Sequence, residues 1–301
     1  MTAESAAERA RRQRAAALLE ILELERIEQN LYRGRNEQRD DAGGRLFGGQ
    51  VLAQAMRAAC ATVEPERQPH SLRAYFMRAG DSARPVLYEV ERIRDGRSFT
   101  TRRVVAIQQG DAIFSLDVSF QVAEEGFEHA DAMPNVPPPE ELEDDEAVIA
   151  RLAERPAGLG PMAGRPRPFQ MRSVVTVGSE EWQRDRFWNP VWIRFAGELP
   201  ADDPVLRRCL LAYASDMGLV STAALPHASR LPRSELQMAS LDHALWIHRE
   251  PPMDDWLLFH KRTSAAQGAR GLVDAEFFSR DGRLIASVTQ EGLLRRRSSA
   301  G

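Results

Sequence analysis

The stretch Gln50-Val-Leu-Ala-Gln-Ala-Met-Arg-Ala-Ala-Cys-Ala-Thr-Val63 is apolar on nearly every side and rich in alanine. A helix built from it belongs in an interior, because a surface helix shows only one apolar stripe. Its neighbours decide where that interior is. Upstream, Gly43-Gly44-Arg-Leu-Phe-Gly48-Gly49 breaks any regular element, and 26–33 reads as a first strand. Downstream, runs near 70–78, 85–94, 98–108 and 112–122 read as strands. Gly80-Asp81, Asp95-Gly96 and Gly110-Asp111 fall between them as turn residues do. Val86, Tyr88 and Val90 alternate like a half-buried strand. One buried helix with strand on both sides in sequence fits the concave face of a curled antiparallel sheet.

The plan returns about 170 residues later. His70-Ser-Leu-Arg-Ala-Tyr-Phe-Met-Arg78 reads like Asp242-His-Ala-Leu-Trp-Ile-His-Arg249, with His70 set against Asp242. Pro85 to Val90 reads like Asp255 to His260, and Ser98 to Ile107 like Gly268 to Phe277. Strand-like runs at 171–177 and 191–196 lead into a helix over 206–220, followed by strands near 236–248, 256–263, 269–279 and 284–294. Such an offset is far beyond a solenoid repeat. The expectation is a tandem (double) hot-dog fold of the α+β class, two curled sheets each wrapping a helix and pairing edge to edge, which also hides two strand edges. The boundaries read as an N-terminal helix over 1–24, a hot-dog domain over 25–125, a linker rich in Pro and acid over 126–168 with a short helix near 140–154, and a second hot-dog domain over 169–297.

Composition excludes several classes. With 43% hydrophobic and 28% charged residues in 301, the chain is of ordinary globular type. No apolar run approaches the ~20 residues of a membrane span, so no membrane insertion is expected. A net charge of −4 argues against nucleic acid as a partner. The arginines at 9, 11, 12 and 14 precede no apolar core of a secretory signal, and Ser-Ser-Ala-Gly301 is no peroxisomal address. Cys60 and Cys209 sit in apolar, helix-like stretches and read as buried small hydrophobes in a reducing compartment. The expected location is cytoplasmic.

The two helices differ in one respect. The first contains no acidic residue, whereas Leu206-Arg-Arg-Cys-Leu-Leu-Ala-Tyr-Ala-Ser-Asp216-Met-Gly-Leu-Val220 contains one. Aspartate is poor inside helices and costly to bury. An isolated one ordinarily faces water or pairs with arginine, but here the carboxylate is present in one copy and absent from the other, as a site kept once would be. Desolvation would raise its pKa. It could then serve as general base to a water, or attack directly to form an anhydride; the residues do not choose. Ser240 and Gln290, in the first and last strands of the second meander, add a hydroxyl and a neutral amide that can orient a water. Each taken alone would read as a solvent-facing strand residue.

Phe47-Gly-Gly-Gln-Val51, His70-Ser71 with Tyr75-Phe76, Arg94-Asp-Gly-Arg-Ser-Phe99, Ser119-Phe-Gln121, Gly126-Phe-Glu-His129, Tyr213-Ala-Ser-Asp216, Ser240-Leu-Asp-His243 with Trp246, and Gln290-Glu-Gly292 occur in one order. In this the chain resembles the acyl-CoA thioesterase II family, the TesB-like double hot-dog enzymes, from about Ile21 to Arg295, with residues 130–190 matching least. The resemblance implies hydrolysis of acyl-CoA to free fatty acid and CoA. It places the family's Asp, Thr or Ser, and Gln on Asp216, Ser240 and Gln290, Ser240 standing where the bacterial prototype has Thr. It also implies acyl-CoA as the partner and a dimer or tetramer of double hot-dog chains; since thiolate is a good leaving group, no cofactor or metal is expected. Gly48, Gly49 and Gln50 are candidate oxyanion donors, with His70 as a further substrate contact. His70, His243 and His248 otherwise read as satisfied strand histidines, Tyr75, Phe76 and Trp246 as core, and Arg78, Arg249 and Arg270 as candidates for the CoA phosphates. The competing readings are a non-catalytic acyl-CoA-binding protein and an enoyl-CoA hydratase-type enzyme. The latter needs a paired His that Asp216 does not have within a turn.

Overall fold

The computed structural model describes residues 6–36, 44–153, 167–201, 203–230 and 233–297. Residues 1–5 of the expected N-terminal helix and 154–166 of the expected linker lie outside these. Helix α1 (Ala6–Leu22) buries Ala15, Leu18 and Leu22. Strands β1 (Glu25–Glu28) and β2 (Leu31–Gly34) replace the single strand expected at 26–33, because Asn30, at φ 63°, turns the chain back between them.

Helix α2 (Gly48–Cys60) is buried on almost all sides, as its composition requires; Leu52, Ala53, Ala55 and Met56 have no exposed surface. Burying side chains such as Leu52 and Met56 contributes about 1.5–3 kcal/mol each. Gln54, also fully buried, is satisfied: its amide donates to Ile21 O and Arg35 O and accepts from the Tyr88 hydroxyl. The meander β3 (Arg67–Phe76), β4 (Val86–Asp95), β5 (Phe99–Gln108) and β6 (Asp111–Val122) wraps this helix.

The segment after β6 is more than a spacer. Trp192, Trp256, Leu258 and Phe278 form a second apolar cluster, covered by Met133, Val136 and Leu142. The Trp192 indole donates to Pro137 O at 2.9 Å. Helix α3 (Asp145–Ala153) follows and is tied to α1 through Arg11, which pairs with Asp144 and Glu146.

The second half repeats the plan with β7 (Phe169–Ser173), β8 (Trp188–Phe195), α4 (Pro204–Ser215), α5 (Leu219–Ala223), β9 (Leu236–Ser240), β10 (Asp242–Ile247), β11 (Leu257–Gln267), β12 (Arg270–Ser279) and β13 (Leu284–Arg296). The helix expected over 206–220 is broken: Asp216 caps α4 and Gly218 takes φ 79°, a left-handed conformation that suits glycine. The strand expected over 236–248 is likewise split at Leu241. Pro204–His227 is the stretch among the described residues long and apolar enough, by length and composition, to cross a bilayer; it contains the packed α4 and α5.

All strands join one antiparallel sheet, ordered β1-β2-β4-β5-β6-β3-β10-β13-β12-β11-β8-β7, with β9 on β13. The halves meet where β3 pairs β10, Leu72 opposite Leu245. Inside the curl, α2 and α4 run antiparallel, the Gly49 end of one against Tyr213 of the other and Arg57 of one paired with Asp203 of the other.

Both meanders carry the same irregularity. The register shifts between Ala106 and Ile107, and again between Phe277 and Phe278. Counted from it, Val118 occupies the place of Gln290: it lies four residues beyond Phe114, the partner of Ala106, as Gln290 lies four beyond Ala286, the partner of Phe277. Leu72 pairs Val118, as His243 lies beside Gln290. Pro69 pairs Phe120 where Ser240 pairs Gly292. The alignment of His70 with Asp242 is therefore off by one, and Ser71 belongs there. A shift of one residue turns every side chain to the other face.

Candidate active site

Asp216 closes α4, is 8% exposed, and lies where the C-terminal end of α4 meets the N-terminal turn of α2. A Cβ on Gly48 would stand 2.7 Å from its Oδ2, and the Gly49 N–H donates to the carboxylate. The two helix ends act oppositely: the terminus of α4 disfavours a negative charge and that of α2 favours it. Burial dominates and pushes the Asp216 pKa up to about 6, against hydrogen bonds from Ser240, Gln290 and Gly49 that pull it down.

The strands bring the other groups to this carboxylate. Ser240, the last residue of β9, donates its hydroxyl to Asp216 Oδ1 at 3.1 Å. Gln290, facing inward from β13 and 1% exposed, donates Nε2 to Ser240 Oγ at 3.0 Å. Gln290 Oε1 lies 2.6 Å from His243 Nδ1, and His243 Nε2 lies 2.9 Å from Ser215 Oγ. The His243 pKa is pushed down to about 4 by burial, so the ring is neutral near neutral pH. The first turn of α2 and the rings of Phe47, Phe76 and Tyr213 complete the apolar surroundings: Phe47 meets Tyr213 edge-on at 4.9 Å, and Phe76 lies against Gly48.

Asp216, Ser240, Gln290, Gly48 and Gly49 thus come together from distant parts of the chain. Two expectations need correction. The Gly49 N–H is engaged by Asp216, and the Gln50 N–H bonds Phe47 O while its side chain bonds Asn36, so of that turn only Gly48 stays a candidate oxyanion donor. His70 is not here; it bonds Ser119 and packs on Phe99. It sits five residues along β3 from Tyr75, about 17 Å at ~3.4 Å per residue, while Tyr75 is opposite Asp242.

The arginines have acidic or carbonyl partners: Arg78 with Asp111 and Ala112 O, Arg249 with Glu128 and Leu284 O, Arg270 with Glu291. Arg249 lines a separate charged groove with Glu250, Asp255, Arg280, Asp281 and Arg283, which shares no residue with the Asp216 cluster. His243, read from sequence as a satisfied strand histidine, is the member of the cluster that reasoning missed. Its signal was present, a buried-face His at a place where the other half has Leu, but the one-residue slip hid it.

A buried carboxylate with a raised pKa, hydrogen-bonded to a hydroxyl beside an amide at the seam of a double hot-dog sheet, is an arrangement suited to acid–base or nucleophilic chemistry, the class of an enzyme site. Comparison with known proteins makes the class specific. Residues 36–121 match the acyl-CoA thioesterase N-terminal domain model and 174–293 the acyl-CoA thioesterase model. Acyl-CoA thioesterase 2 of Haemophilus influenzae is 38% identical over 280 residues, 92% of this chain and 96% of that protein. Acyl-coenzyme A thioesterase 8 of Mus musculus is 39% identical over 290 residues, 94% of this chain and 90% of that protein. The crystal structure of acyl-CoA thioesterase II TesB2 from Mycobacterium marinum superposes with a TM-score of 0.76 at 40% identity, covering 95% of this chain and 99% of that one. The chain belongs to the acyl-CoA thioesterase family and is a thioester hydrolase.

Proposed function

We propose that the chain hydrolyses acyl-CoA thioesters with a water held by Asp216, Ser240 and Gln290, Asp216 serving as the base. The observation that carries this is the buried Asp216 carboxylate, its pKa raised to about 6 and its oxygen accepting from Ser240. A base of that strength works near neutral pH. Gln290 is neutral and orients the water without taking its proton. As the water oxygen bonds to the thioester carbon, its proton passes to Asp216. The C–S bond then breaks, CoA leaves as thiolate, and the proton follows it. The N-terminal turn of α2, through Gly48, supports the charge that builds on the carbonyl oxygen.

In this reading 169–297 carries the reacting groups and 25–125 supplies the helix terminus that faces them. Arg78, two residues beyond Phe76, is the candidate contact for the CoA phosphates at this end. Assembly into a dimer or tetramer of double hot-dog chains, residence in the cytoplasm and the absence of membrane insertion belong to the same proposal and rest on the family resemblance.

The test is CoA release from a panel of short- to long-chain acyl-CoAs by the wild type and Asp216→Asn. The wild type should turn over, and the folded variant should lose at least ~100-fold in kcat. Tight acyl-CoA binding by the wild type without CoA release on any chain length overturns the reading in favour of a binding protein.

A further inference from the structure

His243 is 1% exposed and enclosed on the inner face of the sheet, where a polar side chain is costly unless its hydrogen bonds are met. Both ring nitrogens are met, and the pattern has a direction. Asp216 as a carboxylate only accepts, so the Ser240 hydroxyl donates to it. That leaves the Ser240 oxygen to accept from the Gln290 amide nitrogen. The amide oxygen must then face the other way, toward a donor, and the group there is His243 Nδ1 at 2.6 Å. With its proton on Nδ1, the neutral ring leaves Nε2 as an acceptor, 2.9 Å from the Ser215 hydroxyl, whose single proton is shared between this nitrogen and Ala212 O at 2.8 Å. Donation therefore runs one way from the ring onward, His243 to Gln290 to Ser240 to Asp216.

We infer that His243 is a positioning residue for hydrolysis: it fixes which end of the Gln290 amide faces Ser240 and Asp216. Without a donor at Oε1, the amide can turn over and place its oxygen against Ser240 Oγ and the carboxylate, where it repels instead of donating. The water then loses one of the groups that hold it. This inference rests on the proposed roles of Asp216, Ser240 and Gln290.

The first half of the chain supplies an internal control. The place of His243 is taken by Leu72 and that of Gln290 by Val118, both buried and paired. The sheet therefore accommodates an aliphatic pair at this seat, and packing alone does not call for imidazole. The histidine occurs in the half that has Asp216, Ser240 and Gln290, and leucine in the half where Pro69 and Val118 stand in the places of Ser240 and Gln290.

The same comparison designs the test. His243→Leu, Gln290→Val and the double variant are measured for kcat and KM on an acyl-CoA that the wild type hydrolyses, with thermal melts to establish folding. His243→Leu should lower kcat about 10- to 100-fold and leave KM nearly unchanged, the mark of a group that acts in the transition state rather than in substrate binding. Gln290→Val should lose at least as much, and the double variant no more than Gln290→Val alone, since His243 acts through Gln290. His243→Asn, which keeps an N–H near the Nδ1 position, should recover most of the rate and covers the case in which the leucine variant does not fold. Turnover of His243→Leu within about twofold of wild type, with Gln290→Val impaired, overturns the inference, as do losses that add in the double variant. Full turnover by Gln290→Val would instead overturn the proposed role of Gln290 itself.

Discussion

The ends of α2 and α4 meet twice, once on each side of the molecule, and the two meetings differ. On one side α4 ends at Ser215 and Asp216, against the N-terminal turn of α2. On the other α2 ends at Cys60 and Ala61, near Asp203, which caps α4 and pairs with Arg57. The strands beneath follow suit. Ser240, His243 and Gln290 on the first side have Pro69, Leu72 and Val118 as their counterparts on the second. One duplicated scaffold thus carries a continuous polar chain in the strands at one junction and Pro, Leu and Val in the same places at the other, where Arg57 and Asp203 pair across the helix ends. The scaffold tolerates both, so the polar chain is not what the fold needs to form. On the proposed reading it serves the chemistry, and burying a carboxylate there is expected to lower stability in exchange.

That exchange can be measured, and the largest effect should come from Asp216→Asn. In the folded chain Asp216 titrates near 6, against 3.8 for the free group. As pH rises from about 4 to 6 the unfolded chain releases this proton first, so stability falls by about 3 kcal/mol across that window. Asp216→Asn removes the buried charge. Denaturant titrations should find it more stable than wild type at pH 8 by up to about 3 kcal/mol and equal to it near pH 4, although it is inactive at both. A variant less stable than wild type at pH 8 would mean that the carboxylate is a structural asset, and the contrast between the two junctions would fail.

Ser240→Ala comes next. Wild-type kcat/KM should rise with pH through about 6 and then level off, because the base must be ionised. Removing the hydroxyl takes away a donor that stabilises the carboxylate, so this limb should move to higher pH while kcat falls about 10- to 100-fold. A lower rate with an unmoved limb would separate Ser240 from Asp216.

Gly49→Ala probes the close approach of the helices. Its Cβ would stand 2.3 Å from Tyr213 O and 2.5 Å from the Phe47 ring, so the first turn of α2 has to move away from Asp216. A loss of about 1–3 kcal/mol in stability is expected, together with lower turnover, both read in one melt-and-assay series. The smallest effect should come from Ala61→Asp at the opposite junction. Ala61 is exposed there, so the new carboxylate stays solvated and ordinary, and turnover and melting temperature should match wild type. A second hydrolytic activity appearing in that variant, read in an Asp216→Asn background, would show that the mirror junction needs only a carboxylate.

Much of this was legible in the sequence because it depends on local pattern. The all-round apolar run at 50–63 could only be a core helix, the alternation and turn residues marked the meanders, and the repeat gave the tandem plan. Asp216 stood out as the one acid in either central helix. What escaped depended on backbone geometry of one residue's extent. Gly218 in a left-handed conformation ends α4 at Asp216 and so makes the carboxylate a cap rather than a mid-helix residue. The true correspondence of the halves, Leu72 with His243, differs by one residue from the apparent alignment, which hid that His243 faces inward against a Leu counterpart. His70 carried a motif-like sequence context yet lies at the far end of β3, since strand position, not motif membership, sets distance.

The sequence by itself determined the two core helices, the two meanders, the duplication and the presence of a single carboxylate that had to be explained, because each follows from the periodicity with which apolar and polar side chains repeat along the backbone. Only the tertiary structure decided that Asp216 faces the first turn of the other half's helix, that Ser240, Gln290 and His243 reach it in a one-way chain of hydrogen bonds, and that Gly49 already holds it. Those facts depend on strand register and on the angle at which two helix ends meet, and residues 49 and 216 can settle their spacing only when both halves of the sheet have closed around them.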